Sequence, residues 1–221
     1  MSNDDKIITY GIRYLGSKNK ILPLITKVIN GLEKDDNKVI DVFTGTTRVA
    51  QALKQEGYEV ITSDLSWASE AYSEAFICNN GDVSHLEQYI EQLNLLTPSA
   101  DWLTNHYCDV YAKAHPGVKA DAIRQEIETM NIHPWEKSYL ISCLIFALDK
   151  LDNTVGLQQA YLKGWKSDRV HKDLVLAPLP GIEGLQGEHI TGDALEIHYP
   201  KASVAYLDPP YTAADYSTYY H

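Results

Sequence analysis

An alternation of apolar runs and amphipathic segments near the start of this 221-residue chain limits the folds open to it. Residues 38–43 are mostly apolar and predict a buried strand, and residues 58–63 predict a second. Residues 48–56 and 66–78 have helical spacing, and the first of these segments ends at Gly57. This strand–helix–strand–helix order is typical of a parallel sheet covered by helices, so the sequence predicts an α/β fold.

A mostly helical stretch separates these elements from two later strands. Helical apolar spacing recurs over four segments set apart by prolines: 84–96, 99–114, 119–130 and 135–150. Short apolar runs return at 189–191 and 204–207. We therefore expect a core formed by residues 1–80 and 186–221, interrupted by a mostly helical insertion at 81–185.

Charge is distributed unevenly along the chain. The formal net charge of -11 by itself disfavours a nucleic-acid partner. However, ten acidic residues and no Lys or Arg lie between residues 55 and 112, and the remainder carries 20 acidic and 19 basic residues. The overall charge therefore does not exclude DNA as a partner.

Cysteines and apolar runs limit the compartment. Cys78, Cys108 and Cys143 are widely spaced, which favours a reducing compartment and disfavours a cysteine zinc site. Met1–Asp5 is polar and lacks the apolar core of a secretion signal. No run of about 18 apolar residues occurs. We expect a cytoplasmic protein without a membrane partner and without a metal site.

The segment Asp208-Pro209-Pro210-Tyr211 carries the strongest chemical signal. It follows the apolar run 204–207, and open α/β sheets place their sites at the carboxyl ends of strands. The prolines end the strand and fix a rigid loop. A planar amino-aromatic group fits this loop, because its NH2 can donate to Asp208 and to the Pro209 carbonyl while Tyr211 stacks on its ring. An ordinary Pro-Pro turn is the alternative.

The segment Asp41–Thr47 has the form of a nucleotide-type cofactor loop at the end of the first predicted strand. Gly45 permits close backbone approach. Asp64 closes the second strand, where an acid can bind both hydroxyls of a ribose. The alternatives are a plain strand-to-helix turn for the loop and an N-terminal helix cap for Asp64.

These segments together resemble the Dam-like N6-adenine DNA methyltransferases, the alpha-group D12 class. Tyr14 to Lys18 is similar to the family's opening segment, an aromatic residue followed by Gly and Lys. Asp41–Thr47 is similar to its Asp-x-Phe-x-Gly-x-Gly loop, with Thr47 in place of the last glycine. Asp64, Gly192-Asp193 and the Asp208 segment follow in the family's order. By this resemblance the cofactor-binding residues are Tyr14, Lys18, Asp41, Phe43, Gly45, Asp64 and Asp193.

The resemblance implies methyl transfer from S-adenosylmethionine to the N6 of a flipped adenine in double-stranded DNA, within a restriction–modification, phage or orphan system. Its implied catalytic residues are Asp208, Pro209, Pro210 and Tyr211, and its target-recognition region is the helical insertion. Basic residues at the C-terminal flank of that insertion are candidates for phosphate contacts: Lys163, Lys166, Arg169 and Lys172. A solvated charged loop is the alternative.

Methyltransferase sheets of this class have seven strands, and the catalytic segment ends only the fourth. The resemblance therefore implies an incomplete class I, Rossmann-like sheet whose strand at 203–207 has an open edge. We expect the chain to be an N-terminal part of such an enzyme, either a truncated form or one subunit of a split enzyme, whose missing strands a second chain or a homodimer could supply. Other interpretations stay open. The acceptor could be RNA adenine, cytosine N4 or a glutamine side chain, or the chain could be a catalytically silent binding module.

Overall fold

The computed structural model describes residues 7–13, 17–154 and 160–210. Within these ranges the chain forms two compact units. The first unit comprises residues 7–11, 17–82 and 181–210. The second comprises residues 12–13, 83–154 and 160–180.

A parallel sheet forms the centre of the first unit. Its strands are β1 (Lys38–Val42), β2 (Glu59–Asp64), β3 (Glu188–Thr191) and β4 (Val204–Leu207), in the order β3-β2-β1-β4. The helices of this unit are α1 (Leu22–Asn30), α2 (Arg48–Gln55) and α3 (Trp67–Phe76). The predicted α/β fold is confirmed as a Rossmann-like parallel sheet, and its predicted strands and helices lie within two residues of the observed ones.

The two central strands are the most deeply buried part of the sheet. Val39 of β1 and Val60 of β2 are fully buried, as are Leu53 of α2 and Phe76 of α3. Strands covered on both faces favour apolar residues, which explains why Val39-Ile40 in β1 and Val60-Ile61 in β2 marked these strands.

The strand order reverses at β1. The chain passes from β1 through α2 to β2 on one side, whereas β4 pairs with the other side of β1. Open α/β sheets bind ligands at such a reversal, in the crevice outside the carboxyl ends of the strands. Val42 and Leu207, the last residues of β1 and β4, are paired directly. The segments that follow them, Phe43–Thr47 and Asp208–Pro210, therefore start side by side.

The second unit is helical. Its elements are α4 (Glu87–Asn94), α5 (Trp102–His106), α6 (Ala114–Thr129) and α7 (Pro134–Asp149), with 3-10 turns at Ser84–Leu86 and Asp168–His171. Nowhere in the described ranges does a helix combine the length and the apolar character needed to cross a bilayer.

Two predicted boundaries in this unit are wrong. Of the predicted helical segment 99–114, only α5 and Ala114, the first residue of α6, are α-helical. Helix α6 begins at Ala114 and runs through Pro116-Gly117, which we expected to separate two helices. Pro116 lies in the first helical turn, where a backbone N–H would have no intrahelical acceptor, so its missing donor costs nothing there. A Cβ on Gly117 would lie 2.1 Å from Cys108 Sγ, so glycine permits the close packing of these two residues.

Candidate active site

Asp208 stands at the carboxyl end of β4 and pairs with Lys18. Lys18 Nζ forms an ion pair with Asp208 Oδ2, and the two side chains are only 15% and 17% exposed. The Lys18 carbonyl accepts from Ile21 N at 2.8 Å, in the turn that leads into α1. The structure thus joins the acid of the proposed catalytic segment to the basic residue of the opening segment. Tyr14 and Tyr211, the aromatic residues predicted for these two segments, lie outside the described residues.

The loop after β1 has an unusual backbone. Phe43, Gly45 and Thr47 have φ values of 65°, 53° and 59°, in the left-handed region. Thr44 N donates to Ser63 O at 3.0 Å, which holds the loop against β2. Only glycine adopts this region without steric cost. The surrounding structure must therefore hold the backbone of Phe43 and Thr47 in this conformation.

Asp41 supports this loop from within the core. It is 1% exposed, and its Oδ2 accepts from Thr44 Oγ1 at 2.8 Å. Burial raises the pKa of Asp41 to about 7, although the hydrogen bond from Thr44 opposes the rise, and the negative charges of Asp64 and Asp208 add to it. Asp41 therefore shapes the loop from beneath rather than presenting its carboxylate to solvent.

Asp64 joins the loop to the end of β2. Its Oδ2 accepts from Gly45 N at 2.9 Å and its Oδ1 from Ser66 N at 3.0 Å. A carboxylate has about four acceptor positions, so these two bonds leave capacity for hydroxyl donors. The alternative role as the helix cap is wrong, because the N-cap of α3 is Ser66 and Asp64 accepts from the amide of that residue rather than from the first helical turn.

Two details of the loop fit a bound nucleoside cofactor. A Cβ built on Gly45 would meet nothing within 4 Å, so the space beside this residue is open within the described structure. Thr46 Oγ1 is buried and has no hydrogen-bond partner among the described residues. Buried hydroxyls almost always have a partner, so an unsatisfied one in the residue that follows Gly45 is suited to a ligand.

Asp193 follows β3 on the outer side of β2. Its side chain is exposed, and its Oδ1 accepts from Leu195 N at 2.9 Å. Gly192 N donates to Asp64 O at 3.1 Å, which places the start of this turn beside the end of β2. The structure therefore gathers Asp41, Phe43, Gly45, Asp64, Asp193 and Asp208 at one edge of the sheet, together with Lys18.

Comparison with known proteins gives a family for this arrangement. The model of the D12 class N6 adenine-specific DNA methyltransferase family matches residues 14–221. The chain belongs to this family. It is 30% identical to the modification methylase StsI of Streptococcus sanguinis over 95% of its own length and 35% of that protein. It is also 30% identical to the type II methyltransferase M.NlaIII of Neisseria lactamica, with 95% of this chain and 67% of that protein covered.

A third relative extends this pattern. The modification methylase LlaI of Lactococcus lactis subsp. lactis is 30% identical over 95% of this chain and 37% of its own length. The D12-family chain thus spans about a third of the StsI and LlaI methylases and about two thirds of M.NlaIII.

In this D12-family chain the basic segment of the second unit divides into two kinds of side chain. Lys163, Lys166 and Lys172 are exposed. Arg169 instead donates to Asp152 Oδ1 at 3.3 Å and to Thr154 O at 3.0 Å. Asp152 also forms an ion pair with Arg13. The three lysines and Arg169 therefore differ in their freedom to reach a polyanion.

Sequence reasoning missed the polar face of α2. Arg48 and Gln51 hold the backbone of residues 9–11, which no motif had indicated. Gln51 is fully buried. The available signal was a glutamine among apolar residues on a helix that starts at a cofactor loop, because a buried amide needs hydrogen-bond partners.

Proposed function

We propose that this chain transfers a methyl group from S-adenosylmethionine to the N6 of adenine in double-stranded DNA, as the modification enzyme of a type II system. The observation that carries the proposal is the position of Asp208. It ends β4 beside the loop that follows β1, at the reversal of strand order, and it pairs there with Lys18. Membership of the D12 class supports adenine as the base and DNA as the substrate.

Asp208 and Pro209 would act on the amino group of the flipped adenine. The lone pair of that nitrogen is delocalised into the ring, and hydrogen bonds from NH2 to the Asp208 carboxylate and the Pro209 carbonyl favour a tetrahedral nitrogen. These bonds strengthen as positive charge develops on nitrogen, so they stabilise the transition state more than the ground state. Lys18 would hold the carboxylate in place, and a carboxylate has about four acceptor positions to share between Lys18 and the amine.

Pro210 and Tyr211 would complete the pocket for the base. Pro210 continues the rigid turn after β4, where it has no N–H to compete for acceptors. Tyr211 follows directly in sequence, and we propose that it stacks on the flipped adenine.

The loop after β1 and the ends of β2 and β3 would hold the cofactor. Gly45 and Thr46 offer open space and a buried hydroxyl without a partner among the described residues, and Asp64 offers a carboxylate for the ribose hydroxyls. Asp193 would contact the adenine ring of the cofactor. Asp41 and Phe43 would shape the loop. Lys18 would also contact the cofactor, and Tyr14 is assigned the same role from the resemblance of its segment to the family. When bound, S-adenosylmethionine would supply a methyl group on a sulfonium: the C–S bond breaks as the bond to N6 forms, S-adenosylhomocysteine leaves as a neutral thioether, and the extra proton on N6 passes to solvent.

The second unit would recognise the target sequence. We propose that Lys163, Lys166 and Lys172 contact DNA phosphates, because their ammonium groups are exposed. Arg169 would hold this segment in position through its hydrogen bonds to Asp152 and Thr154, and it would also contribute positive charge.

The free edge of β4 suggests a further protein partner. Within the described residues β4 pairs only with β1, and Leu207 is 63% exposed. An open strand edge with exposed apolar side chains is normally covered. We propose that a second chain or a second copy adds a strand there, which light scattering on the purified chain tests directly.

Methyl transfer from labelled cofactor tests the proposed function. The purified chain is incubated with unmethylated duplex DNA, with matched RNA, and with DNA that lacks adenine on one strand. Incorporation into adenine of the duplex supports the proposal, whereas preference for RNA or for cytosine overturns it. Asp208→Ala should abolish incorporation while leaving DNA affinity within about twofold, and Asp208→Asn should retain a small residual rate.

A further inference from the structure

One buried amide connects the loop after β1 to the N-terminal segment. Gln51 Oε1 accepts from Tyr10 N at 2.7 Å, and Gln51 Nε2 donates to Tyr10 O at 2.8 Å. The same Nε2 donates to Thr47 Oγ1 at 3.0 Å. Gln51 therefore contacts both Tyr10 in the N-terminal segment and Thr47 in the loop, and it is fully buried.

Thr47 occupies a backbone conformation that favours glycine. Its φ of 59° lies in the left-handed region, which costs about 1 kcal/mol or more for a β-branched residue. Glycine would remove this strain but would also remove the hydroxyl that Gln51 uses. The fully buried hydroxyl is thus a specific reason for threonine at this position.

The rest of the α2 surface binds the same segment. Arg48 donates to the carbonyls of Thr9 at 3.0 Å and Gly11 at 2.8 Å. Gln55 donates to Ile8 O at 2.9 Å. Residues 48, 51 and 55 share one helix face, so α2 holds the backbone of residues 8–11 with side chains from successive turns. Of these contacts, the one through Gln51 also reaches Thr47 in the loop.

We propose that Gln51 is a positioning residue that couples the cofactor loop to residues 8–11. This inference rests on the proposed function of the loop. Ordering of the loop by S-adenosylmethionine fixes Thr47, Thr47 fixes the amide of Gln51, and the amide fixes Tyr10. Because such coupling is reciprocal, an ordered N-terminal segment also strengthens cofactor binding. Residues 8–11 precede Lys18, the partner of Asp208, in the sequence.

Thr47→Ala and Thr47→Ser form a matched pair for testing this coupling. Both keep a side chain in the left-handed conformation, and only serine keeps the hydroxyl. Amide hydrogen exchange of residues 8–11 is measured by mass spectrometry, with and without S-adenosylmethionine, and cofactor affinity is measured by calorimetry. Gln55→Ala is the control, because Gln55 contacts the segment at Ile8 but does not contact Thr47.

We expect Thr47→Ala to speed exchange at Tyr10 about three- to tenfold without cofactor, and to weaken cofactor affinity by a similar factor. Thr47→Ser should stay within about twofold of the unmodified chain in both measurements. S-adenosylmethionine should slow exchange over residues 8–11 in the unmodified chain and in Gln55→Ala, and much less in Thr47→Ala.

Equal exchange at Tyr10 in the alanine and serine variants overturns the coupling. So does cofactor-induced slowing that is as large in Thr47→Ala as in the unmodified chain. A folded, unmodified chain that binds no S-adenosylmethionine would instead contradict the proposed function. In that case the cofactor-free comparison of the two variants at Tyr10 still decides whether the hydroxyl bridge holds the segment.

Discussion

Lys18 and Asp208 form an ion pair that joins the entry to α1 with the end of β4, and both side chains are largely buried. The two residues are far apart in sequence, and each belongs to a different segment of the D12-family pattern. Under the proposed function, this pairing places Lys18 beside the residue that would act on the adenine amino group. A lysine there fixes the direction of the carboxylate and balances its charge.

Replacement of Lys18 by methionine is expected to lower kcat by about ten- to a hundredfold. Methionine has no ammonium group to pair with the Asp208 carboxylate, so the carboxylate can move from its position. Small misplacements of catalytic groups lower rates by factors of this size. Steady-state kinetics with a duplex substrate give kcat and KM. The exposed Lys20→Met is the matched control and should stay within about twofold. A Lys18→Met effect confined to KM for DNA would contradict a role through Asp208.

Asp41→Asn is expected to stabilise the protein at neutral and alkaline pH. Burial raises the pKa of Asp41 to about 7, above its value in the unfolded chain. The folded state therefore binds an extra proton between about pH 4 and 7, and stability falls as pH rises through this window. The asparagine variant lacks this loss. Its free energy of unfolding should therefore exceed that of the unmodified chain by an amount that grows from about pH 4, reaches a few kcal/mol and levels off above pH 7.

Denaturant unfolding at a series of pH values measures this difference. The side-chain oxygen of asparagine can still accept from Thr44 Oγ1, so the loop should persist in the variant. A difference between the two proteins that does not change with pH would show that Asp41 is not the titrating group.

Asp121→Asn is expected to destabilise the second unit at neutral pH. Burial raises the pKa of Asp121, but hydrogen bonds from the Thr104 hydroxyl and from the amides of Asp101, Leu103 and Thr104 outweigh burial, and the pKa lies below its usual value. A carboxylate with a depressed pKa stabilises the fold above the unfolded pKa, and this stability is lost as pH falls through the folded pKa.

We expect a loss of about 2 kcal/mol at pH 7, because asparagine cannot accept the same set of donors. Thermal unfolding followed by circular dichroism measures it. The difference in stability between the variant and the unmodified chain should become smaller below about pH 4. An unchanged gap at acidic pH would assign the loss to packing rather than to charge.

Neutralisation of the three exposed lysines is expected to reduce the salt dependence of DNA binding. Each phosphate contact contributes about 0.9 to the slope of log affinity against log salt concentration. Alanine at Lys163, Lys166 and Lys172 together should lower the slope by about two to three. Lys27→Ala, an exposed lysine on α1, is the control and should leave the slope unchanged. An equal reduction in the control would mean that binding depends on overall charge alone.

Local sequence predicted the four strands and helices α2 and α3 of the first unit, but it did not predict α1. Strands β1 and β2 were marked by the apolar pairs Val39-Ile40 and Val60-Ile61, and Gly57 marked the end of α2. Prediction was poorer around α5 and α6, where Pro116 in a first turn gives the same local signal as a helix break. A proline is tolerated where a backbone N–H at its position would have no intrahelical acceptor, and it breaks the helix where such an acceptor exists.

The amino-acid sequence by itself determined the order of the four strands and of helices α2 and α3, the loop after β1 that we propose binds the cofactor, and the segment from Asp208 onward. These are local properties, set by apolar period, turn residues and short motifs. The tertiary structure decided which groups meet: Lys18 with Asp208, Gln51 with both Tyr10 and Thr47, and Arg169 with Asp152. Such pairs depend on strand order and helix packing, which bring together residues whose separation along the chain carries no local signal.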